Sequence, residues 1–278
     1  MSSLIIKASG VKEPFSANKL RNSLQRAGAD NNAINDIVEH IEGELHEGMT
    51  TKEIYRHAFS LLKKRAKSVA LKYSLRKAVM ELGPDGFAFE RLVAAVLAKQ
   101  GYKVQVGGML KGWCVEHEVD VLAEKDSEHI FVECKFHNQP GVKTDLKVAL
   151  YVHARFQDIN KLHMEDAKKE NRVPRVHNGW LITNTKLTST AIDFSKCAGL
   201  YVVGWDYPHT GNLQDLIAEA HLHPITCLSS ISVQQKKALI ANKAILCRDV
   251  TPALLATIGL DAAKSERVLA EVRAICSM

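Results

Sequence analysis

The chain of 278 residues lacks most signatures of a metal ribbon, a secreted scaffold or a membrane protein. Its six cysteines, at positions 114, 134, 197, 227, 247 and 276, form no CxxC pair and keep no regular spacing. A zinc ribbon and a disulfide framework are therefore excluded, and the six are expected to be buried free thiols. No stretch approaches the ~18 consecutive apolar residues of a membrane span, and the opening MSSLIIKASG has no apolar core of the secretory kind, so a cytoplasmic protein with no membrane partner is expected. Internal repeats, low-complexity tracts and a phosphate-binding P-loop are also absent from the pattern. With 46% hydrophobic and 24% charged residues the composition is that of a globular chain, and its length favours two or more domains.

What is present begins with charge. The formal net charge is +6, and the excess sits at one end. Residues 1–82 carry 14 basic against 9 acidic side chains, 83–205 carry 16 against 15, and 206–278 carry 7 against 7. The run KKRAK at 63–67, followed by Lys72, Arg76 and Lys77, suits a polyanion such as nucleic acid or nucleotide phosphates; a solvated helix face is the competing reading.

The patterning predicts a multi-domain α+β protein. Residues 4–15 read as two short strands around Ala8-Ser9-Gly10. Helices follow after Ser16 (an N-cap), over Ile34–Leu45, after Thr50 or Thr51, and over Ala66–Leu82. This small helical domain with a strand cover spans 1–82. Gly83-Pro84-Asp85-Gly86 cannot continue a helix and marks the linker. Beyond it, over 83–205, helix Phe87–Gln100, strands Tyr102–Val106, Val115–Ala123 and Ile130–Phe136, helix 143–158, strand Trp180–Thr183, helix Thr188–Cys197 and strand Leu200–Trp205 alternate, which predicts an α/β fold with a mixed central sheet. Residues 206–278 read as a helical segment with a two-helix hairpin around Ile258-Gly259-Leu260.

Chemistry concentrates in EHEVDVLAEKDSEHIFVECKF, residues 116–136. Along the strand holding Glu133-Cys134-Lys135, side chains alternate faces, so Glu133 and Lys135 share one face of an otherwise apolar strand. Ions buried there cost several kcal/mol unless they are paired or bind a metal. If 117–124 and 129–136 form a hairpin around 125–128, antiparallel register sets Asp120 opposite Glu133, with Cβ atoms roughly 4.5–5.5 Å apart. A divalent cation between the two carboxylates turns repulsion into attraction, and oxygen ligands suit Mg²⁺ or Mn²⁺. A solvated sheet edge is the structural alternative.

Asp120 followed by Glu133-Cys134-Lys135 resembles the D…(E/Q)xK core of the PD-(D/E)xK nuclease superfamily, and the element order is similar to that of the Mrr-type restriction endonuclease domain. FAFERLVAAVLAKQGYKV (87–104) resembles that family's opening helix, and GWLITNTKLTSTAIDF (179–194) its later strand and helix. The resemblance implies metal-dependent hydrolysis of DNA phosphodiesters: Asp120, Glu133 and the carbonyl of Cys134 on Mg²⁺ or Mn²⁺, Lys135 at the attacking water or phosphate, and Glu90 as an auxiliary acid near the metal. His117 and Glu118 are read as structural, and His137 as a surface histidine.

Residues 1–82 resemble the ATP-cone, a regulatory nucleotide-binding module, through IIKASGVKEPFSANKLRNSLQRAGA, GMTTKEIYRHAF and YSLRKAV. By that pattern Lys7 and Lys19 meet phosphates of ATP or dATP, Glu13, Phe15 and Ser16 lie near base and ribose, and Thr51 is close by. Ala8 stands where the family usually has a second basic residue. Residues 251–272 look like a degenerate helix-hairpin-helix, read here as a packing or dimerisation hairpin.

The whole implies a Mg²⁺-dependent endodeoxyribonuclease of the type II or IV restriction kind acting on double-stranded DNA, with its activity or its assembly as a homo-oligomer tuned by ATP or dATP. A catalytically silent DNA-binding module and a nucleotide-responsive regulator are the alternatives.

Overall fold

The computed structural model describes residues 3–84, 86–126, 128–171 and 177–276; the expected linker at 83–86 and turn at 125–128 each include one residue outside that set, Asp85 and Ser127. Strands β1 (Leu4–Ile6) and β2 (Lys12–Pro14) pair antiparallel around Gly10, whose φ of +79° is the left-handed conformation that favours glycine. Five helices follow: α1 (Ala17–Arg26), α2 (Asn31–Glu44), α3 (Thr51–Arg65), α4 (Lys67–Tyr73) and α5 (Leu75–Met80). Their starts are chemically marked. Ser16 and Asp30 accept from Lys19 N and Ala33 N, while Thr50, rather than Thr51, forms a reciprocal capping box with Glu53. The apolar stripes of these helices, among them Leu24, Ile37, Val38, Ile41 and Leu62, are buried together as one core. Each such side chain contributes roughly 1.5–3 kcal/mol on leaving water.

The next stretch opens with α6 (Phe87–Lys99) and continues as β3 (Lys103–Lys111), β4 (Glu116–Lys125), β5 (Glu128–Lys135), β6 (Lys143–Thr144), α7 (Leu146–Lys169), β7 (His177–Thr183), β8 (Lys186–Leu187), α8 (Ser189–Ala198) and β9 (Tyr201–Val203). Five strands form one mixed sheet in the order β3-β4-β5-β7-β9, with β3, β4 and β5 antiparallel and β5, β7 and β9 parallel. Parallel neighbours need crossovers. Helices α7 and α8 supply them, and because right-handed crossovers in one direction fall on one side, both pack there around Phe131, Phe156, Leu181, Ala191 and Val202. Helix α6 packs on β3, β4 and β5 through its own buried Phe89, Leu92, Val93, Val96 and Leu97.

The remaining helices are α9 (Leu213–Glu219), α10 (Val233–Ala241), α11 (Pro252–Thr257) and α12 (Ala262–Cys276). Helices α9, α10 and α11 end as α1, α6 and α8 do. A residue with positive φ follows each (His221, Lys243 and Gly259), and the next backbone N–H returns to a carbonyl five residues earlier: Leu222 to Ile217, Ala244 to Leu239, Leu260 to Leu255. Glycine takes the left-handed position after α1, α6, α8 and α11, whereas His221 and Lys243 take it after α9 and α10.

The chain divides into two compact units, one of residues 1–81, 139–141 and 223–278 and the other of residues 82–138 and 142–222. The first is discontinuous: α12 packs on α4, and the 3-10 turn Ile225–Cys227 packs on α5. The expectation of six buried thiols is corrected. Only Cys227 and Cys247 are buried; Cys114 and Cys197 are exposed, and Cys134 and Cys276 are half-buried. Cys114 falls in the β3–β4 turn and Cys197 on the outer face of α8, where no core reaches them. Among the described residues no helix is long and apolar enough to cross a membrane.

Candidate functional site

Asp120 and Glu133 meet through strand register. The β4–β5 ladder runs from Lys125↔Glu128 to Val121↔Val132, so the next facing positions are 120 and 133. There the backbone pairing stops. The Asp120 carboxylate takes over, accepting from Cys134 N at 2.6 Å. Both carboxylates line one cleft of about 290 Å³, together with Glu118, His117, Tyr151 and Arg155.

Burial pushes the Asp120 carboxyl above its ordinary range, against the opposing pull of the Cys134 N–H and the Arg155 charge. Burial also raises Glu133, and the next largest cause is the negative charge of Asp120. Two half-buried carboxylates thus hold each other in an unfavourable state that added positive charge relieves. Arg155 already provides one such charge, through its ion pair with Glu133 and its position 5.2 Å from the Tyr151 ring centre. Lys135 is two residues along from Glu133 on the same face, opposite Thr183 in β7, and its charge favours ionisation of both acids. Among the described residues no cluster of three or more His, Cys, Asp or Glu side chains is placed to hold a metal. Asp120 and Glu133 with a backbone carbonyl are a two-carboxylate set, which is the kind Mg²⁺ uses when water and phosphate complete its shell.

Of the other expected residues His117 and Glu118 line the cleft, whereas Glu90 and His137 do not. Glu90 stands in the first turn of α6 beside Gly86 and Phe136; it acts electrostatically on the Cys134 thiol and does not line the cleft. His117 bonds Asp158 at 2.8 Å, and that carboxylate also accepts from Cys114 N and Val115 N. The His117 contact, ahead of the Cys114 and Val115 bonds, brings Asp158 down to about 2. The pair therefore clamps the β3–β4 turn to α7. His137 is half-buried rather than a free surface residue: its ring bonds Thr144 Oγ1, its backbone N–H donates to Asn184 Oδ1, and burial, helped by the Lys135 charge, lowers its pKa. Arg155, Tyr151 and Asp158 were not anticipated. Their spacing of four and three residues on one helix, amid apolar neighbours, was the available signal.

In the N-terminal domain Glu13 brings Lys7 and Lys19 together, at 2.6 and 3.2 Å, and the Lys7 bond chiefly holds its pKa low. Phe15 packs on the core, Ser16 caps α1, and Thr51 is the first residue of α3.

Comparison with known proteins divides the chain three ways. Residues 3–79 match the ATP cone domain, 83–207 the restriction endonuclease family, and 223–276 the family described as AF1548-like, C-terminal. An uncharacterised protein of Archaeoglobus fulgidus is 36% identical over 186 residues, which is 66% of this chain and 99% of that protein. A crystal structure titled as the protein of unknown function AF1548 is 35% identical, covers 69% of this chain and 99% of its own, and superposes with a TM-score of 0.53. The restriction endonuclease MspJI, solved with a 27-mer oligonucleotide, is 14% identical over 72% of this chain and 39% of its own, and its TM-score of 0.33 is too low to weigh.

Proposed function

Because the chain belongs to the family of the uncharacterised Archaeoglobus fulgidus protein and carries a restriction-endonuclease domain behind an ATP-cone domain, we propose that it is a metal-dependent endodeoxyribonuclease responsive to ATP or dATP. The observation that carries this is the convergence of Asp120 and Glu133, from neighbouring strands, in one cleft whose burial and mutual repulsion disfavour two free carboxylates. A Mg²⁺ or Mn²⁺ held by Asp120, Glu133 and the Cys134 carbonyl would supply Lewis acidity and charge neutralisation at the scissile phosphate of double-stranded DNA.

The protein's own groups do the rest. Lys135 orients the attacking water or balances charge building on the phosphate oxygens. Arg155 fixes the Glu133 carboxylate and so acts as a positioning residue. Glu90 is outside the cleft and is assigned at most an indirect electrostatic part. Lys7 and Lys19, with Glu13 between them, are the phosphate-facing pair of the cone, and nucleotide regulates cleavage by binding one state better than another.

Incubating supercoiled plasmid with the intact protein and Mg²⁺ is the direct test. Nicked or linear product is expected, reduced at least about a hundredfold in Asp120→Ala and abolished by chelation. A rate unchanged by the substitution overturns the assignment. The pairing of Glu133 with Arg155 favours one other reading, a silent DNA-binding module. Plasmid retarded on a gel but never cut would identify it.

A further inference from the structure

The discontinuous unit holds a cavity of about 650 Å³ with one wall from α3 and α5 and the other from residues 226–236. That size lies in the range of small-molecule sites. Its cations are Lys52, Arg56, Lys77 and Lys236, and its aromatic wall is Tyr55 and Phe59, stacked with ring centres 6.0 Å apart.

The two carboxylates in the lining are already engaged. Glu53 accepts from Thr50 N and Oγ1 at 2.8 Å, and Glu81 pairs with Lys77 at 3.6 Å. Among the described residues Lys52, Arg56 and Lys236 have no carboxylate within ion-pair distance. Lys236 is half-buried, and its ammonium donates to the Thr226 carbonyl at 2.9 Å. Burial lowers its pKa and outweighs the opposing pull of Glu81, while Lys77 adds a smaller push in the same direction as burial. A half-buried lysine without an ion-pair partner among the described residues, in a lining that also holds Lys52 and Arg56, suits an anion, and an aromatic wall in the same cavity suits a planar ring.

We propose that this cavity binds a nucleoside phosphate, with Lys236 of the C-terminal segment as a direct phosphate contact alongside Lys52 and Arg56 of α3. The assignment deepens the nucleotide-responsive part of the function above and rests on it. It adds a second nucleoside-phosphate site, held from both ends of the chain, so that a nucleotide's arrival is felt by α10 as well as by the cone. The site shares none of the residues Lys7, Glu13, Phe15, Ser16 and Lys19.

Isothermal titration of the full-length protein with ATP, dATP and inorganic tripolyphosphate tests this. Lys236→Gln keeps a donor for the Thr226 carbonyl while removing the charge, and Arg56→Gln changes a rim residue. Two binding events are expected for the wild type, and loss of a charged hydrogen bond is expected to weaken one of them about tenfold or more in each Gln variant, with Lys236→Arg close to wild type. Tripolyphosphate is expected to bind more weakly than ATP. Nucleotide binding by the wild type that is unchanged in both Gln variants overturns the proposal and leaves the cone reading intact. Equal affinity for tripolyphosphate and ATP removes the nucleoside from it. No binding of either nucleotide overturns the cone reading and this site together.

Discussion

At the scale of single residues the cleft is a place where stability is given up. Asp120 and Glu133 have folded-state pKa values above their ordinary ones, so the folded form is disfavoured relative to the unfolded chain wherever both acids would ionise. This destabilisation is present above the folded pKa and fades as pH falls through it toward the ordinary carboxylate range. Asp120→Asn keeps an acceptor for the Cys134 N–H and loses the charge. It is expected to raise the melting temperature at pH 7.5, with the gap closing near pH 4, while cleavage is lost. A variant melting below wild type at neutral pH would contradict the buried-charge account. Adding Mg²⁺ is expected to raise the wild-type melting temperature and leave that of Asp120→Asn unmoved.

At the scale of elements, α12 is tied down by a carboxylate of the opposite character. Glu271 is 3% exposed and accepts from the N–H and hydroxyl groups of Ser229 and Ser230. Burial pushes its pKa up, and the four hydrogen bonds from the two serines more than offset this, leaving it low. Its contribution is therefore full above the ordinary glutamate pKa and is lost as pH falls through the lowered value. Glu271→Ala should cost about 3 kcal/mol at pH 7 by urea denaturation, and much less at pH 3. The helix ends supply a second test. Lys243, at φ +64°, should stabilise the protein by roughly 0.5–1 kcal/mol when changed to Gly, and Gly259, at φ +77°, should cost a similar amount when changed to Ala. Both are read as urea midpoints at constant slope.

Signals of this local kind were legible beforehand. Ser16 announced α1, and the turn at 125–128 fixed a register in which 120 faces 133, because capping and hairpin pairing depend only on near neighbours. Arg155 was not seen, since helix α7 runs to Lys169 and which of its faces meets Glu133 depends on the path of a crossover of about forty residues between β5 and β7. The Glu271 clasp was hidden for the same reason: its serines lie some forty residues away and carry no pattern of their own.

Across the whole molecule, order along the chain and order in space diverge. A reading that cuts the sequence at glycine and proline gives three consecutive segments, whereas residues 223–278 pack with 1–81 in one unit. Contacts of α12 with α4 and of residues 225–227 with α5 are what a linear reading misses. A chain ending at Leu222 is expected to retain the mixed sheet but to lose part of the shield over α4 and α5. Limited proteolysis should then cut within 1–81 faster than in the full chain, and equal cutting rates would show that the cone does not depend on the segment.

Emergence from the ribosome gives the discontinuous unit one more consequence. Its first part is synthesised early, but its closing helices appear only after about 140 intervening residues, which at about 5–20 residues per second is a wait of roughly 7–28 s. During that interval α4 and α5 show an apolar flank to solvent, a window for chaperones to engage, and the cavity between α3, α5 and residues 226–236 does not yet exist. The restriction-endonuclease-like unit is then complete before the other unit has received its closing helices.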